Sequence, residues 1–130
     1  MKAIWIKARA FCYPTEDEGK VLSAVRTIFP GAKAKKSTID GEYGQFYAFE
    51  YETKRAKDID AFIPKARELK LEIGKSVDEE GCLYARFDKQ KACLGVLQEG
   101  TQDVVWAKMK VVTYPFDRDK IIAELKEAFS

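Results

Sequence analysis

The first residues that could do chemistry form an acidic cluster, Thr15, Glu16, Asp17 and Glu18, in which three carboxylates are consecutive. Converging carboxylates hold metal ions or act as acid and base pairs. The same four residues also fit a capping box, in which the Thr15 hydroxyl and the Glu18 carboxylate each accept a hydrogen bond from the other residue's backbone N–H. The helix dipole favours acids in a first turn. We therefore predict a helix start here, with Thr15 as its N-cap.

A small metal-dependent nuclease is the catalytic alternative, and it would use Glu16, Asp17 and Asp88. The chain has no histidine, which removes the commonest general base and the usual zinc ligand. Gly31, Gly41, Gly44 and Gly81 are predicted to lie in turns, no phosphate-binding glycine loop is present, and the stretch "VDEEG" does not match a calcium loop. We expect no enzymatic activity, no metal site and no cofactor.

The second group consists of basic residues with aromatic neighbours, a combination that is typical of RNA-binding surfaces. Lysine and arginine neutralise phosphates, while aromatic rings stack on bases. The candidate RNA-binding residues are Trp5, Lys7, Arg9, Arg86, Lys89, Gln90, Lys91, Trp106, Lys108 and Lys110. The alternatives are a solvated, charged sheet face, or a protein-interaction or dimerisation surface that buries the tryptophans.

Strands must position most of these residues. Apolar and polar residues alternate over 4–13, so Trp5, Lys7 and Arg9 share one face while small apolar residues occupy the other. Further strands are predicted at about 33–39, 45–53, 82–87 and 103–113. If the first and last strands are neighbours, their outward faces combine two tryptophans with four cations.

Helices are predicted where apolar residues recur at helical spacing: from the acidic cluster to Pro30, from Ile59 to Leu69, and from Ile121 to Phe129. Pro64 lies inside the second of these and predicts a kink or two short helices. The segment "DKQKACLG" is predicted to be a short helical turn or a loop. Together the elements predict an α+β fold with a mostly antiparallel sheet, helices on one face and a single domain over 1–130.

The composition fits a folded, heavily charged protein of 130 residues, with 46% hydrophobic and 34% charged residues. A net charge of +2 neither indicates nor excludes a nucleic-acid partner.

The sequence shows neither a signal peptide nor a membrane span, so we expect the protein to be cytoplasmic. Cys12, Cys82 and Cys93 lack metal-site spacing and are predicted to be small core residues. The absence of asparagine, beside many lysines and glutamates, indicates a thermophilic source.

A resemblance to a known family extends over nearly the whole chain. It is carried, in order, by the segments "YPTEDEGKVLSAVRTIFPG", "GEYG" and "DEEGCLYARFDKQKACLG", then by the last strand and "YP". They resemble small archaeal RNA-binding proteins described as predicted exosome subunits. The resemblance implies an α+β fold similar to that of a ribosomal protein that binds a small ribosomal RNA. It also implies a cytoplasmic archaeal protein without known enzymatic activity.

These observations predict a non-catalytic protein that binds structured or single-stranded RNA in RNA processing or degradation. Exosome components and a second copy of the chain are further expected partners. The alternative is a protein-interaction or dimerisation module that does not bind RNA.

Overall fold

The computed structural model describes residues 2–130 as five strands and five helices. The strands are β1 (Lys2–Cys12), β2 (Lys35–Gly41), β3 (Gly44–Thr53), β4 (Cys82–Asp88) and β5 (Val104–Val112). The helices are α1 (Glu18–Ile28), α2 (Ala56–Arg67), α3 (Ile73–Ser76), α4 (Lys89–Cys93) and α5 (Arg118–Ala128). The strands form one antiparallel sheet in the order β2-β3-β1-β5-β4, which confirms the predicted α+β class. It also makes the two tryptophan-bearing strands, β1 and β5, neighbours.

One face of the central strands is buried, as the alternation predicted. In β1 the buried side chains are Ile6, Ala8, Ala10 and Cys12, and in β5 they are Val105, Ala107, Met109 and Val111. The residues between them are partly or fully exposed. The cations and tryptophans of these strands therefore lie on the face that meets solvent.

The β2–β3 hairpin has a short connection with a glycine on either side of it. Gly41 pairs with Gly44, so that Glu42 and Tyr43 form a two-residue turn. Gly44 has a φ of +119°, a backbone conformation that residues with a side chain rarely adopt. The glycine at this position therefore allows the short connection that sets the register of the two strands.

The chain divides into two compact units, and β1, β3, β4 and β5 contribute to both. The first unit comprises the segment ending at Lys7 together with Glu52–Ala85 and Ala107–Ser130. The second comprises Ala8–Tyr51 and Arg86–Trp106. None of the helices in residues 2–130 combines the length and the apolarity that a membrane crossing requires.

In the first unit, α2 runs unbroken from Ala56 to Arg67 with Pro64 inside it, so the prediction of two short helices is wrong. Ile59, Phe62 and Ala66 form its buried stripe on both sides of the proline. Burial of this stripe favours one continuous helix despite the hydrogen bond that proline cannot donate. The predicted kink stays a prediction.

In the second unit, α1 buries Val21, Ala24, Val25 and Ile28 and contacts α4. The Thr27 hydroxyl donates to the carbonyl oxygen of Ala92 at 2.7 Å and ties the two helices together. The segment "DKQKACLG" therefore contains a short helix, one of the two forms predicted for it.

The N-cap of α1 differs from the prediction. The helix begins at Glu18, and Asp17 is the N-cap, with its carboxylate accepting from the backbone N–H of Gly19 at 2.7 Å and of Lys20 at 3.4 Å. Thr15 lies instead in a turn, because the N–H of Glu16 donates to the carbonyl oxygen of Tyr13 at 2.9 Å. Pro14 suits the second position of such a turn and keeps Thr15 out of the cap.

The three cysteines are free thiols. Cys12 and Cys82 are buried, as predicted for small core residues, whereas Cys93 is only half-buried.

Candidate nucleic-acid interface

The first group of functional side chains, the Trp5 cluster, lies on the outward sheet face in the first unit. It consists of Trp5, Lys7, Tyr84 and Lys108. The Nζ atoms of Lys7 and Lys108 lie 4.6 and 5.9 Å from the centre of the Trp5 ring, close enough for cation–π attraction. Two predicted RNA-binding lysines are thus brought together around one predicted stacking residue.

Tyr84 connects this cluster to a turn. The Nζ of Lys108 lies 5.3 Å from the centre of the Tyr84 ring, and the Tyr84 hydroxyl donates to Oδ2 of Asp78 at 3.0 Å. A hydrogen bond with Tyr84 is the main cause of the raised pKa of Lys108. The same hydrogen bond holds the ammonium group in place, where it presents a positive charge to a phosphate group.

Asp78 accepts two further hydrogen bonds, from the backbone N–H groups of Glu80 and Cys82, both at 2.9 Å. Partial burial opposes its ionisation, but these bonds and that from Tyr84 outweigh the burial and lower the pKa of the carboxyl group. Ligand atoms of Asp78, Glu80 and Cys82 lie within 4.8 Å of one another. The Asp78 carboxylate is already held by the turn, and burial raises the pKa of the Cys82 thiol, so this cluster is explained by turn stability.

Lys110, the next predicted cation on β5, has a local partner. Its Nζ donates to the carbonyl oxygen of Glu80 at 2.6 Å. The ammonium group has two further donors. Lys110 therefore remains a candidate for phosphate contact, held in place by the turn before β4.

The second group, the Tyr13 groove, lies within the second unit and encloses a cavity of about 360 Å³. Its lining residues are Arg9, Phe11, Tyr13, Gln102, Asp103, Val104 and Trp106. Arg9 and Trp106 are among the predicted RNA-binding residues. The strand alternation indicated that Phe11 and Tyr13 share their face. Gln102 and Asp103 were not predicted, and Asp103 lies in the loop before β5, just outside the strand predicted from about 103.

An aromatic cluster forms one side of this groove. Phe11 and Phe46 meet edge to face with their ring centres 5.4 Å apart, and the centres of Tyr13 and Phe46 are 5.3 Å apart. Such contacts orient the rings relative to one another. Phe46 comes from β3, so no pattern within β1 could have indicated its contribution.

Arg9 is loosely paired. Its Nε lies 3.7 Å from Oε1 of Glu50, and the two side chains are 49% and 46% exposed. An exposed pair at this distance contributes little to stability. The guanidinium group of Arg9 therefore keeps donors that a phosphate group or a base can use.

Lys89 differs most from its predicted role, because its side chain is only 2% exposed. Its Nζ donates to Oε1 of Glu16 at 2.7 Å and to the carbonyl oxygen of Phe11 at 2.8 Å, and it pairs with Oδ1 of Asp103 at 2.8 Å. Burial alone would lower the pKa of Lys89, but hydrogen bonds and charge attraction from Asp103 and Glu16 raise it. Lys89 is thus a buried cation that fixes the groove wall, not an accessible contact residue.

The remaining predicted residues at this end of β4 divide into two kinds. The side-chain amide of Gln90 donates to Oδ2 of Asp103 at 3.1 Å, so Gln90 supports the groove loop. Arg86 and Lys91 are exposed. Of the predicted segment from Arg86 to Lys91, these two cations are placed where RNA could reach them.

The carboxylates of the nuclease alternative all have structural partners. Glu16 pairs with Lys89, and Asp17 caps α1. Asp88 caps α4, with its Oδ1 accepting from the backbone N–H of Lys91 at 2.9 Å. Each of the three is therefore accounted for by local folding.

Comparison with known proteins gives a consistent result. The family model described as RNA binding matches residues 5–111. The RNA-binding protein PAB1135 of Pyrococcus abyssi is 31% identical, over 94% of this chain and 90% of its own length. Mth689, a DUF54 protein from Methanothermobacter thermautotrophicus, superposes with a TM-score of 0.87 and 29% identity, covering 99% of this chain and 100% of its own. Protein AF2318 from Archaeoglobus fulgidus superposes with a TM-score of 0.85 and 32% identity, covering 98% and 99%. The chain therefore belongs to the RNA-binding family, which is found in archaea.

Proposed function

We propose that this chain is a non-catalytic RNA-binding protein that acts in archaeal RNA processing or degradation. The observation that carries the proposal is the outward sheet face, where Trp5 is flanked by Lys7 and Lys108 at 4.6 and 5.9 Å. Cations beside an aromatic ring are the groups that hold phosphates and bases. The name of the Pyrococcus abyssi relative, an RNA-binding protein, supports the same conclusion.

The roles follow from charge and exposure. Lys7, Lys108 and Lys110 neutralise phosphates in the first unit, and Arg9, Arg86 and Lys91 do so in the second. Trp5 and Trp106 offer stacking surfaces on β1 and β5. Since strands fix the backbone of all these residues except Lys91, RNA would meet cations that are already positioned.

The test is a fluorescence-anisotropy titration of labelled single-stranded and hairpin RNA at several salt concentrations. The variant reverses two charges, Lys7→Glu with Lys108→Glu, and the control reverses one exposed helix charge, Lys126→Glu. Each lost phosphate contact reduces the slope of log affinity against log salt by about 0.7 for single strands. We expect the slope of the double variant to be smaller by about twice that amount, and the slope of the control to equal that of the unaltered protein.

Failure to bind either RNA at low salt would reject RNA binding. A variant slope equal to that of the unaltered protein would instead exclude Lys7 and Lys108 as phosphate contacts.

Absence of catalysis is part of the proposal. It is supported by the local roles of Glu16, Asp17 and Asp88 described above. Labelled RNA incubated with the protein and Mg²⁺ or Mn²⁺ should remain intact on a denaturing gel. Cleavage that Asp88→Asn abolishes without unfolding the chain would restore the nuclease alternative.

The proposal also includes association with exosome components and a cytoplasmic location, both of which the family resemblance of the sequence supports. A homodimer is its last part. Sedimentation velocity over a range of protein concentrations tests the dimer. Mixing the chain with purified archaeal exosome, with and without RNA, tests the partner, and co-sedimentation is the expected result. Tryptophan fluorescence that changes on dilution but not with RNA would favour the protein-interaction module.

A further inference from the structure

We propose that the Tyr13 groove binds one unpaired nucleobase of the RNA and prefers a base with an exocyclic amino group. The inference rests on the proposed function and specifies which form of RNA that function recognises. Four observations carry it: the lining of the groove, its size, its local charge and the fixed acceptor at its rim.

The lining combines flat apolar surfaces with a guanidinium group. Phe11, Tyr13 and Trp106 supply aromatic rings, and Arg9 supplies a planar cation. These are the groups on which proteins stack single bases of RNA. Val104 adds an apolar contact.

The size of the groove selects one base and not a duplex. A cavity of about 360 Å³ is at the lower end of pockets that hold small organic groups. In an A-form helix the base faces are covered by stacking and the major groove is too narrow for side chains. Only a base in a loop, a bulge or a single strand can therefore enter.

The lining of the groove has no excess positive charge that would hold a phosphate group inside it. Arg9 and Asp103 give the groove lining one charge of each sign, and the buried Lys89 pairs with Asp103 and with Glu16 behind it. A phosphate placed beside Asp103 would be repelled, while the exposed guanidinium group of Arg9 can hold a phosphate at the groove mouth. The occupant of the cavity is therefore a neutral ring.

Asp103 decides which ring is preferred. Its Oδ1 pairs with Lys89 at 2.8 Å, and its Oδ2 accepts from Gln90 at 3.1 Å. These bonds hold the carboxylate still, and its side chain remains 44% exposed. An ionised carboxylate only accepts hydrogen bonds. It therefore favours a donor such as the amino group of cytosine over the carbonyl oxygen that uracil presents at the same position.

The experiment uses the fact that the chain contains only two tryptophans. The Trp5→Phe protein retains Trp106 in the groove as its only tryptophan, and the matched Trp106→Phe protein retains Trp5. Oligocytidine and oligouridine of equal length, and a blunt duplex, are titrated against both proteins. Binding is followed independently by anisotropy of the labelled RNA.

We expect oligocytidine to quench the Trp106 emission at saturation, while the Trp5 emission of the matched protein reports separately on stacking at the Trp5 cluster. Oligocytidine should bind at least about fivefold more tightly than oligouridine, the lower end of the discrimination given by a good hydrogen-bonded base contact. The blunt duplex should bind without quenching Trp106. Tyr13→Ala should weaken oligocytidine binding by roughly fivefold or more, and Tyr43→Ala, which removes a fully exposed tyrosine of the hairpin turn, should not.

The results separate the two proposals. RNA that binds in a salt-dependent way, but neither quenches Trp106 nor distinguishes cytosine from uracil, would overturn base insertion and leave RNA binding intact. Equal affinities for the two oligonucleotides, with Trp106 quenched by both, would overturn the selective role of Asp103. Absence of binding to every RNA at low salt would overturn both proposals.

Discussion

The ammonium group of Lys89 lies 2.7 Å from the Glu16 carboxylate, although 73 positions separate the two residues in the chain. The pair joins the turn after β1 to the start of α4, and Asp103 joins it from the segment before β5. Because Tyr13 and Asp103 both border the groove, this contact fixes the geometry of the proposed base site.

Replacing the buried cation should destabilise the protein strongly. Lys89→Met leaves Glu16 and Asp103 facing each other without a cation, which we expect to lower the free energy of unfolding by about 3 kcal/mol. The low end of the range for buried pairs applies, since both carboxylates retain contact with water. Urea denaturation measures the change. Lys91→Met, an exposed lysine in the same helix, is the control and should change stability by less than about 0.5 kcal/mol. Equal effects of the two substitutions would contradict the structural role of Lys89.

The helix cap gives a second comparison. Asp17→Ala removes the acceptor for the N–H groups of Gly19 and Lys20 and should cost about 0.5 to 2 kcal/mol. Thr15→Ala alters a turn residue that caps nothing, so we expect a change below about 0.5 kcal/mol. Thermal denaturation of the two variants measures the difference. A larger loss for Thr15→Ala would restore the capping box.

The lowered pKa of Asp78 predicts how stability depends on pH. A carboxyl group with a folded pKa below its unfolded value of about 3.9 stabilises the fold above that value. The stabilisation is lost as the pH falls through the unfolded and then the folded pKa. Asp78→Asn cannot ionise, so we expect it to be less stable than the unaltered protein by about 1 to 3 kcal/mol at pH 7. The difference should shrink towards about pH 2, as measured by urea denaturation across that range. A difference independent of pH would contradict the assignment, and Glu79→Gln, an exposed neighbour, is the control.

Two glycines with similar backbone angles separate backbone strain from steric clash. Gly81 has a φ of +84°, and a Cβ atom there would lie 2.8 Å from Cδ1 of Ile121 and 3.0 Å from the carbonyl oxygen of Val111. Gly95 has a φ of +81°, with no atom within 4 Å of the corresponding position. Gly95→Ala should therefore cost about 1 to 2 kcal/mol from the backbone alone. Gly81→Ala should cost a further 1 to 3 kcal/mol, roughly, from overpacking. Chemical denaturation measures both, and equal losses would show that the strand and helix around Gly81 adjust freely.

The sequence by itself determined most of the secondary structure and the faces of the strands. Alternation along 4–13 and 103–113 predicted which side chains are buried in β1 and β5, because a period of two places successive side chains on opposite faces. The glycines of "DGEYG" are typical of a hairpin connection, and one of them, Gly44, has the positive φ that glycine adopts easily. Helical spacing of apolar residues likewise identified α1, α2 and α5.

Only the tertiary structure decided which residues meet. The partner of Lys89 could not be predicted, because a lysine followed by exposed polar residues has the pattern of a surface cation and its two carboxylates are distant in the chain. The cap moved from Thr15 to Asp17 because the turn after β1 and the attraction of Glu16 to Lys89 override the local motif. The groove combines residues from β1 and β5 with the loop before β5, next to a phenylalanine from β3. Adjacency of strands is set by how the whole chain buries its apolar faces, and no single segment contains that information.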